Sequence, residues 1–259
     1  MNLSVSEVSL TLETGLLTTA LVHRKDSEAA PKHIFIFGHG LGCDIIQPGD
    51  DKTESGTLLT IPRDFDISLV SYIARGHGNS SGWQDSAQIN PNQFTWEYLS
   101  HDMISVANFY QCENVFIGGN SMGAGTAIFT AIHHPSRVRG MILMRPPTAW
   151  ETRKKRRNDI LKKADELQEM DPNQNFHHVL RGACDADLPP MNDVETYQRI
   201  TCPVLILAIE GDPVHPVSTA ETLSRLIPIN EIHIASDRDS ARKDWPDIIS
   251  NFIRATLPE

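Results

Sequence analysis

The run Val115-Phe116-Ile117-Gly118-Gly119-Asn120-Ser121-Met122-Gly123-Ala124-Gly125 decides how this chain reads. Apolar, β-strand-forming residues meet a serine with glycine two positions away on either side, and small residues follow that let a helix start close to the strand. The G-x-S-x-G spacing is that of a nucleophile elbow: a strained strand-to-helix turn that holds a serine Oγ out above a sheet. A β-carbon at Gly119 or Gly123 would clash with neighbouring backbone in such a turn. The helix beginning there points amide N–H groups and the positive end of its dipole at any oxyanion forming beside the serine. A five-residue pattern also arises by chance, so its flanks carry weight. Residues 113–117 read as a buried strand and residues 124–134 as a helix, which is the setting the elbow requires.

Outward from that stretch, 259 residues with 40% hydrophobic content suit one α/β domain with a sizeable core and room for an insertion. The formal net charge of −10 argues against a nucleic-acid or anionic-membrane surface, since like charges repel before contact. Small molecules or proteins are the expected partners. Residues 1–7 lack the basic region and apolar core of a signal peptide, and no segment reaches membrane-spanning length, so a cytoplasmic location is expected. Cys43, Cys112, Cys184 and Cys202 form no C-x-x-C pair and read as ordinary thiols, not as a disulfide framework or a zinc site.

In chain order, residues 5–12 and 16–23 alternate as two strands around the turn Glu13-Thr14-Gly15. A polar loop at 24–31 leads to a continuous apolar strand at 33–37, of the kind buried on both faces of a parallel sheet. It ends in Gly38-His39-Gly40-Leu41-Gly42, which lacks both dinucleotide spacing and a P-loop lysine. Residues 44–63 predict loop, one short helix and loop. A strand at 66–73 runs into Ala74-Arg75-Gly76-His77-Gly78-Asn79-Ser80, and Trp96, Leu99, Met103, Val106 and Tyr110 space a helix over 96–112. After the elbow helix, His133-His134 have metal-ligand chemistry but no acidic or cysteine partner nearby, and a solvent-facing helix end accounts for them. A strand at 138–144 is followed by the breaker Arg145-Pro146-Pro147.

The interval before the next strand, 204–209, is the place for inserted helices. Residues 152–170, 175–182 and 192–200 read as helical, with Pro189-Pro190 as a break. Lys154-Lys155-Arg156-Arg157 and Lys162-Lys163 make the first of them basic in an acidic protein. A solvated face explains this without function. The sharper reading is a positive rim that steers a carboxylate-bearing substrate. Glu210-Gly211-Asp212-Pro213-Val214-His215-Pro216 follows the strand at 204–209, and a last strand spans 231–235.

Hairpin, glycine-rich loop, R-G-H-G turn, elbow, inserted helices and an acid after a late strand together resemble the α/β-hydrolase superfamily over essentially the full chain. The resemblance implies a mostly parallel eight-stranded sheet with an antiparallel first hairpin and helices on both faces. Residues 1–145 and 201–259 would form the core, and 146–200 a small helical cap. It further implies Ser121 as nucleophile, the amides of Leu41 and Met122 as oxyanion donors, and Asp212 as the triad acid at the carboxyl end of its strand. His39, Arg75 and His77 would shape their loops, and His215 would commonly structure its own turn. No cofactor or metal is required.

The pattern breaks after the last strand. Ser-acid-His is the expected chain order, yet the sequence reads Ser236-Asp237-Arg238-Asp239-Ser240-Ala241-Arg242-Lys243-Asp244-Trp245-Pro246. Members with an intact triad place glycine-histidine a few residues before an acid and a proline that opens the final helix. Laid on Asp244 and Pro246, that register puts Asp239 where the histidine belongs. An aspartate titrating near 4 is a poor base for a serine, and Asp212 and Asp239 facing one pocket would repel. His233 sits too far back, about 20 Å at ~3.3 Å per residue. His215, and His177 or His178 hanging from the cap, are the replacements to consider. A hydrolase of a small ester, lactone or related carbonyl compound is therefore expected, with an atypical triad. The alternatives are a small-molecule binding or signalling protein that lost its base, and a lyase or isomerase using Asp239 or Arg145 in a new role.

Overall fold

Leu3–Thr11 (β1) and Leu17–Lys25 (β2) pair antiparallel, turning at Gly15, whose φ of 77° suits a residue without a side chain. The computed structural model describes residues 3–25, 33–47, 49–80, 90–171 and 176–257. Six further strands complete one sheet: His33–Gly38 (β3), Ile67–Tyr72 (β4), Val115–Asn120 (β5), Val138–Met144 (β6), Val204–Ile209 (β7) and Asn230–Ala235 (β8). Their order is β1-β2-β4-β3-β5-β6-β7-β8, antiparallel from β1 to β4 and parallel from β4 onward. The expected eight-stranded, mostly parallel sheet with an antiparallel entry is what forms.

Period-two alternation along the central strands sends side chains to two separate cores. Ile34, Ile36, Val70, Ile117, Leu143 and Ile206 face one side, covered by Trp96–Phe109 (α2), Met122–His133 (α3) and Val217–Leu226 (α7). Phe35, Phe37, Leu69, Phe116, Ile142 and Leu207 face the other, covered by Thr60–Asp64 (α1) and Arg238–Thr256 (α8). Because both faces are covered, β3 to β7 are apolar almost throughout.

Between β6 and β7 lie Trp150–Met170 (α4), Phe176–Asp185 (α5) and Val194–Gln198 (α6). Helices α4 and α5 pack on each other, and α5 rests on the 3-10 turn Pro91–Phe94. That approach is close enough that a Cβ on Gly182 would stand 2.0 Å from the Pro91 carbonyl oxygen.

Three local expectations are corrected. Residues 44–63 hold two 3-10 turns, Asp50–Lys52 and Ser55–Leu59, before α1, not one helix between loops. Arg24 and Lys25 continue β2, and residues 26–31 of the expected loop lie outside the described residues, as do Pro48 and Asn175. Helix α8 does not wait for Pro246: Asp237 caps it by accepting the Ser240 amide at 2.7 Å, and Pro246 sits inside it.

Candidate active site

Ser121 follows β5 with φ 53° and ψ −111°, a conformation that a non-glycine residue holds only when its surroundings force it. The forcing elements are visible. The Ser121 amide donates to the Met144 carbonyl at 3.1 Å, and the Gly123 amide to the His39 carbonyl at 3.1 Å. A Cβ at Gly123 would fall 1.8 Å from the Gly38 oxygen, and one at Gly119 2.3 Å from the Gly123 carbonyl carbon. Helix α3 is thereby drawn against the end of β3, and Ser121 lines a cavity of about 500 Å³.

The glycine-rich loop after β3 lies beside it. His39 is buried; its Nε2 accepts the Ala74 amide at 2.9 Å, so Nδ1 carries the hydrogen and donates to the Gly40 carbonyl at 2.8 Å. His77 Nε2 accepts the Gly42 amide at 3.1 Å in the same way, with Nδ1 donating to the Arg75 carbonyl at 3.2 Å. Burial pushes His39 down to about 4 and His77 down to about 3, so both stay neutral and act as fixed acceptors for backbone amides. Arg75 is paired with buried Asp102 through Nε at 3.0 Å and Nη2 at 2.9 Å, and Thr14 donates to the same carboxylate at 2.5 Å. These contacts pin the loop, and among the described residues the amides of Leu41 and Met122 donate to no protein acceptor. Leu41, Met122 and Ser121 line the cavity together.

Asp212 follows β7. Its Oδ1 accepts the Val214 and His215 amides at 2.9 and 3.1 Å, and its Oδ2 accepts Arg145 Nε and Nη2 at 2.9 and 2.7 Å. His215 Nδ1 lies 3.0 Å from Asp212 Oδ2 and 3.0 Å from Arg145 Nη2. Burial alone would raise the Asp212 carboxyl, but the hydrogen bonds from His215, Arg145 and Val214 overcome it and hold the group well below the usual carboxylate range. Burial, then the Arg145 charge, lowers His215 despite the Asp212 carboxylate, so the imidazole is neutral at pH 7. His215 and Arg145 both line the Ser121 cavity, and His215 Nε2 bonds to no protein atom among the described residues. Ser121 Oγ likewise makes no hydrogen bond there.

Residues 61–185 match the family model described as alpha/beta hydrolase fold. Solved structures match over nearly the whole chain. An enol-lactonase from Burkholderia xenovorans LB400 is 16% identical with a TM-score of 0.66, covering 97% of this chain and 100% of that one. A thermophilic esterase from Thermogutta terrifontis is 16% identical with a TM-score of 0.66, covering 98% and 100%. A 2-hydroxy-6-oxo-6-phenylhexa-2,4-dienoate hydrolase from Rhodococcus sp. strain RHA1 is 16% identical with a TM-score of 0.69, covering 98% and 99%. No curated protein matches the chain.

The chain has the α/β-hydrolase fold.

The segment after β8 differs from the arrangement that the sequence register suggests. Asp239 does not face the cavity with Asp212, as the sequence register suggests. It occupies the first turn of α8, 89% exposed, and pairs with Arg242. The reason is the cap at Asp237, which starts the helix early and turns position 239 outward. Asp212 and Asp239 border one shallow surface groove, but the Asp212 carboxylate is turned to Arg145 and His215, so the expected repulsion does not arise. The His177 and His178 rings lie 4.0 Å apart between centroids and tilted by 39°, at the start of α5, and neither residue lines the Ser121 cavity. His233 is on β8, paired with Glu231. Sequence reasoning gave Arg145 only a passing role and missed Glu54, which accepts from Arg238 and Arg242 at 3.3 and 3.0 Å and stands 3.9 Å from Arg145. No local signal marks these pairs, because their partners lie far apart in the chain. Among the described residues no cluster of His, Cys, Asp or Glu is arranged to hold a metal ion, and no helix is long and apolar enough to cross a membrane.

Proposed function

We propose that this protein is a hydrolase of small esters, lactones or related carbonyl compounds, with Ser121 as nucleophile and His215 as the base that replaces the histidine missing after β8. Its substrate would be a small molecule taken up in the cytoplasm, under the cap formed by residues 146–200. One observation carries the reading: of the candidate bases, only His215 combines Nδ1 contact with the Asp212 carboxylate and a place in the wall of the Ser121 cavity.

In the productive tautomer Nδ1–H donates to Asp212 Oδ2, which leaves the Nε2 lone pair free. Nε2 takes the Ser121 proton as Oγ adds to the carbonyl carbon. The carbonyl π pair moves to oxygen, which the Leu41 and Met122 amides receive. Collapse reforms the carbonyl and expels the leaving group, which takes the proton from Nε2. Water then repeats the sequence on the acyl-serine. Arg145 opposes the imidazolium that forms, so Asp212 is needed both to orient the ring and to offset that charge. In the other tautomer Nδ1 accepts from Arg145 and Nε2–H cannot act as base. That competition, with an unbonded Ser121 Oγ, favours a second reading in which ligand binds without turnover.

Hydrolysis of p-nitrophenyl acetate separates the two. The first reading expects activity abolished in Ser121→Ala and reduced on the order of 10⁴-fold or more in His215→Gln. Equal, background rates in wild type and both variants would overturn the first reading and leave the second.

A further inference from the structure

We propose that the cavity recognises a carboxylate, and that the guanidinium of Arg153 on α4 binds it over the face of Trp96. This rests on the reading above only in taking the Ser121 cavity as the ligand site.

Arg153 is 9% exposed and lines the cavity together with Trp96. Its Nε donates to the Ala186 carbonyl at 3.0 Å and its Nη2 to the Ala183 carbonyl, while among the described residues Nη1 donates to no protein atom. The guanidinium carbon lies 4.9 Å from the Trp96 ring centroid. Among the described residues, no carboxylate pairs with it. Asp187, whose charge reaches it, commits Oδ1 to the amides of Trp150 and Leu188. A buried cation without a counterion carries a desolvation cost that nothing repays. The other buried arginines avoid this: Arg75 meets Asp102 and Arg145 meets Asp212. Fold alone does not require the charge, since any neutral donor would satisfy the Ala183 and Ala186 carbonyls.

The surroundings agree in sign. Arg153, Arg156, Ile160 and Lys163 repeat at helical spacing and place one face of α4 on the cavity, with Asp159 the acid in that wall. Arg156 donates to the Pro213 carbonyl at 2.8 Å and Lys163 to Glu166 at 3.4 Å, so neither is committed to a buried acid. Arg145 is spent on Asp212. The basic segment that the sequence allows to be a solvated face thus places Arg156 and Lys163 along the cavity. A planar carboxylate offers Nη1 an acceptor and returns to the buried charge the partner that the protein withholds.

The test is calorimetric titration of full-length Ser121→Ala protein with phenylacetate and hexanoate, each against its primary amide. The carboxylates are expected to bind at least ~10-fold tighter than the isosteric amides. That preference should disappear in Arg153→Gln, checked for folding by circular dichroism, and survive in part in Arg153→Lys, which keeps the charge without the planar fork. Equal binding of acids and amides, binding of neither, or an undiminished preference in folded Arg153→Gln overturns the proposal. If Arg153→Gln does not fold, the acid-against-amide comparison and Arg153→Lys still decide. Because Ser121 is absent, a carboxylate preference stands whether or not wild type hydrolyses esters, and hydrolysis without the preference overturns this proposal alone.

Discussion

Replacing Arg145 by methionine withdraws a guanidinium, 10% exposed, from a carboxylate that is 5% exposed, while keeping most of its volume. Two charge-assisted hydrogen bonds to Asp212 Oδ2 vanish, together with the contact to His215. Breaking a buried ion pair by removing one partner costs about 3–5 kcal/mol. Asp212 keeps the Val214 and His215 amides and His215 Nδ1, so the loss should fall at the low end, about 3 kcal/mol. At about 2–4 °C per kcal/mol for a chain of this size, Tm drops by ~6–12 °C. The pH dependence follows from the sign of the Asp212 shift. A carboxyl held below its unfolded value stabilises fully above about 3.9 and loses that contribution as pH falls towards its folded value. The gap between wild type and variant, measured by urea unfolding with circular dichroism, should hold steady from about pH 8 to 7, begin to narrow below about 6.5 because His215 protonates more readily once the Arg145 charge is gone, and narrow further below about 4. A gap under about 1 kcal/mol at pH 7, or one equally wide at about pH 3, refutes the assignment of Asp212 and Arg145 as a buried pair.

Three further outcomes follow from the same geometry. Since burial and Arg145 lower His215, and a base works when neutral, kcat/KM should stay flat as pH falls through about 6.5 and decline only below it; a half-maximal point at or above that value contradicts this. Gly123→Ala places a methyl 1.8 Å from the Gly38 oxygen, a backbone atom that cannot step aside, so a loss above about 4 kcal/mol or failure to fold is expected, and a wild-type melting curve refutes the elbow packing. Asp239→His should give no gain in ester hydrolysis and shift stability by no more than about 0.5 kcal/mol, because position 239 points to solvent; a large gain in activity would place that side chain in the cavity after all.

The sheet was legible because its signals are local. The strand at 204–209 is a continuous apolar run and that at 138–144 a mostly apolar one, both bounded by breakers, and the structure returns them unchanged as β6 and β7. The elbow was legible because glycine spacing encodes a steric need. The start of α8 lies before the proline that the family register points to, because Asp237 and Ser240 stand at the spacing of a helix cap and that local cap sets the first turn. Arg145 resisted prediction because its partners lie 67 and 70 positions away, and because Arg145-Pro146-Pro147 reads only as a break. Arg153 was hidden beside the lysines and arginines that follow it. Only the packing of α4 shows which of them face inward.

The most direct measurement is the rate at which a fluorophosphonate probe labels purified wild type, Ser121→Ala and His215→Gln. Activation of Ser121 by His215 predicts labelling of wild type, none in Ser121→Ala, and a rate lowered on the order of 10⁴-fold in His215→Gln. Labelling of His215→Gln at the wild-type rate would remove His215 from the mechanism. An unlabelled wild type that remains folded would contradict the hydrolase account itself.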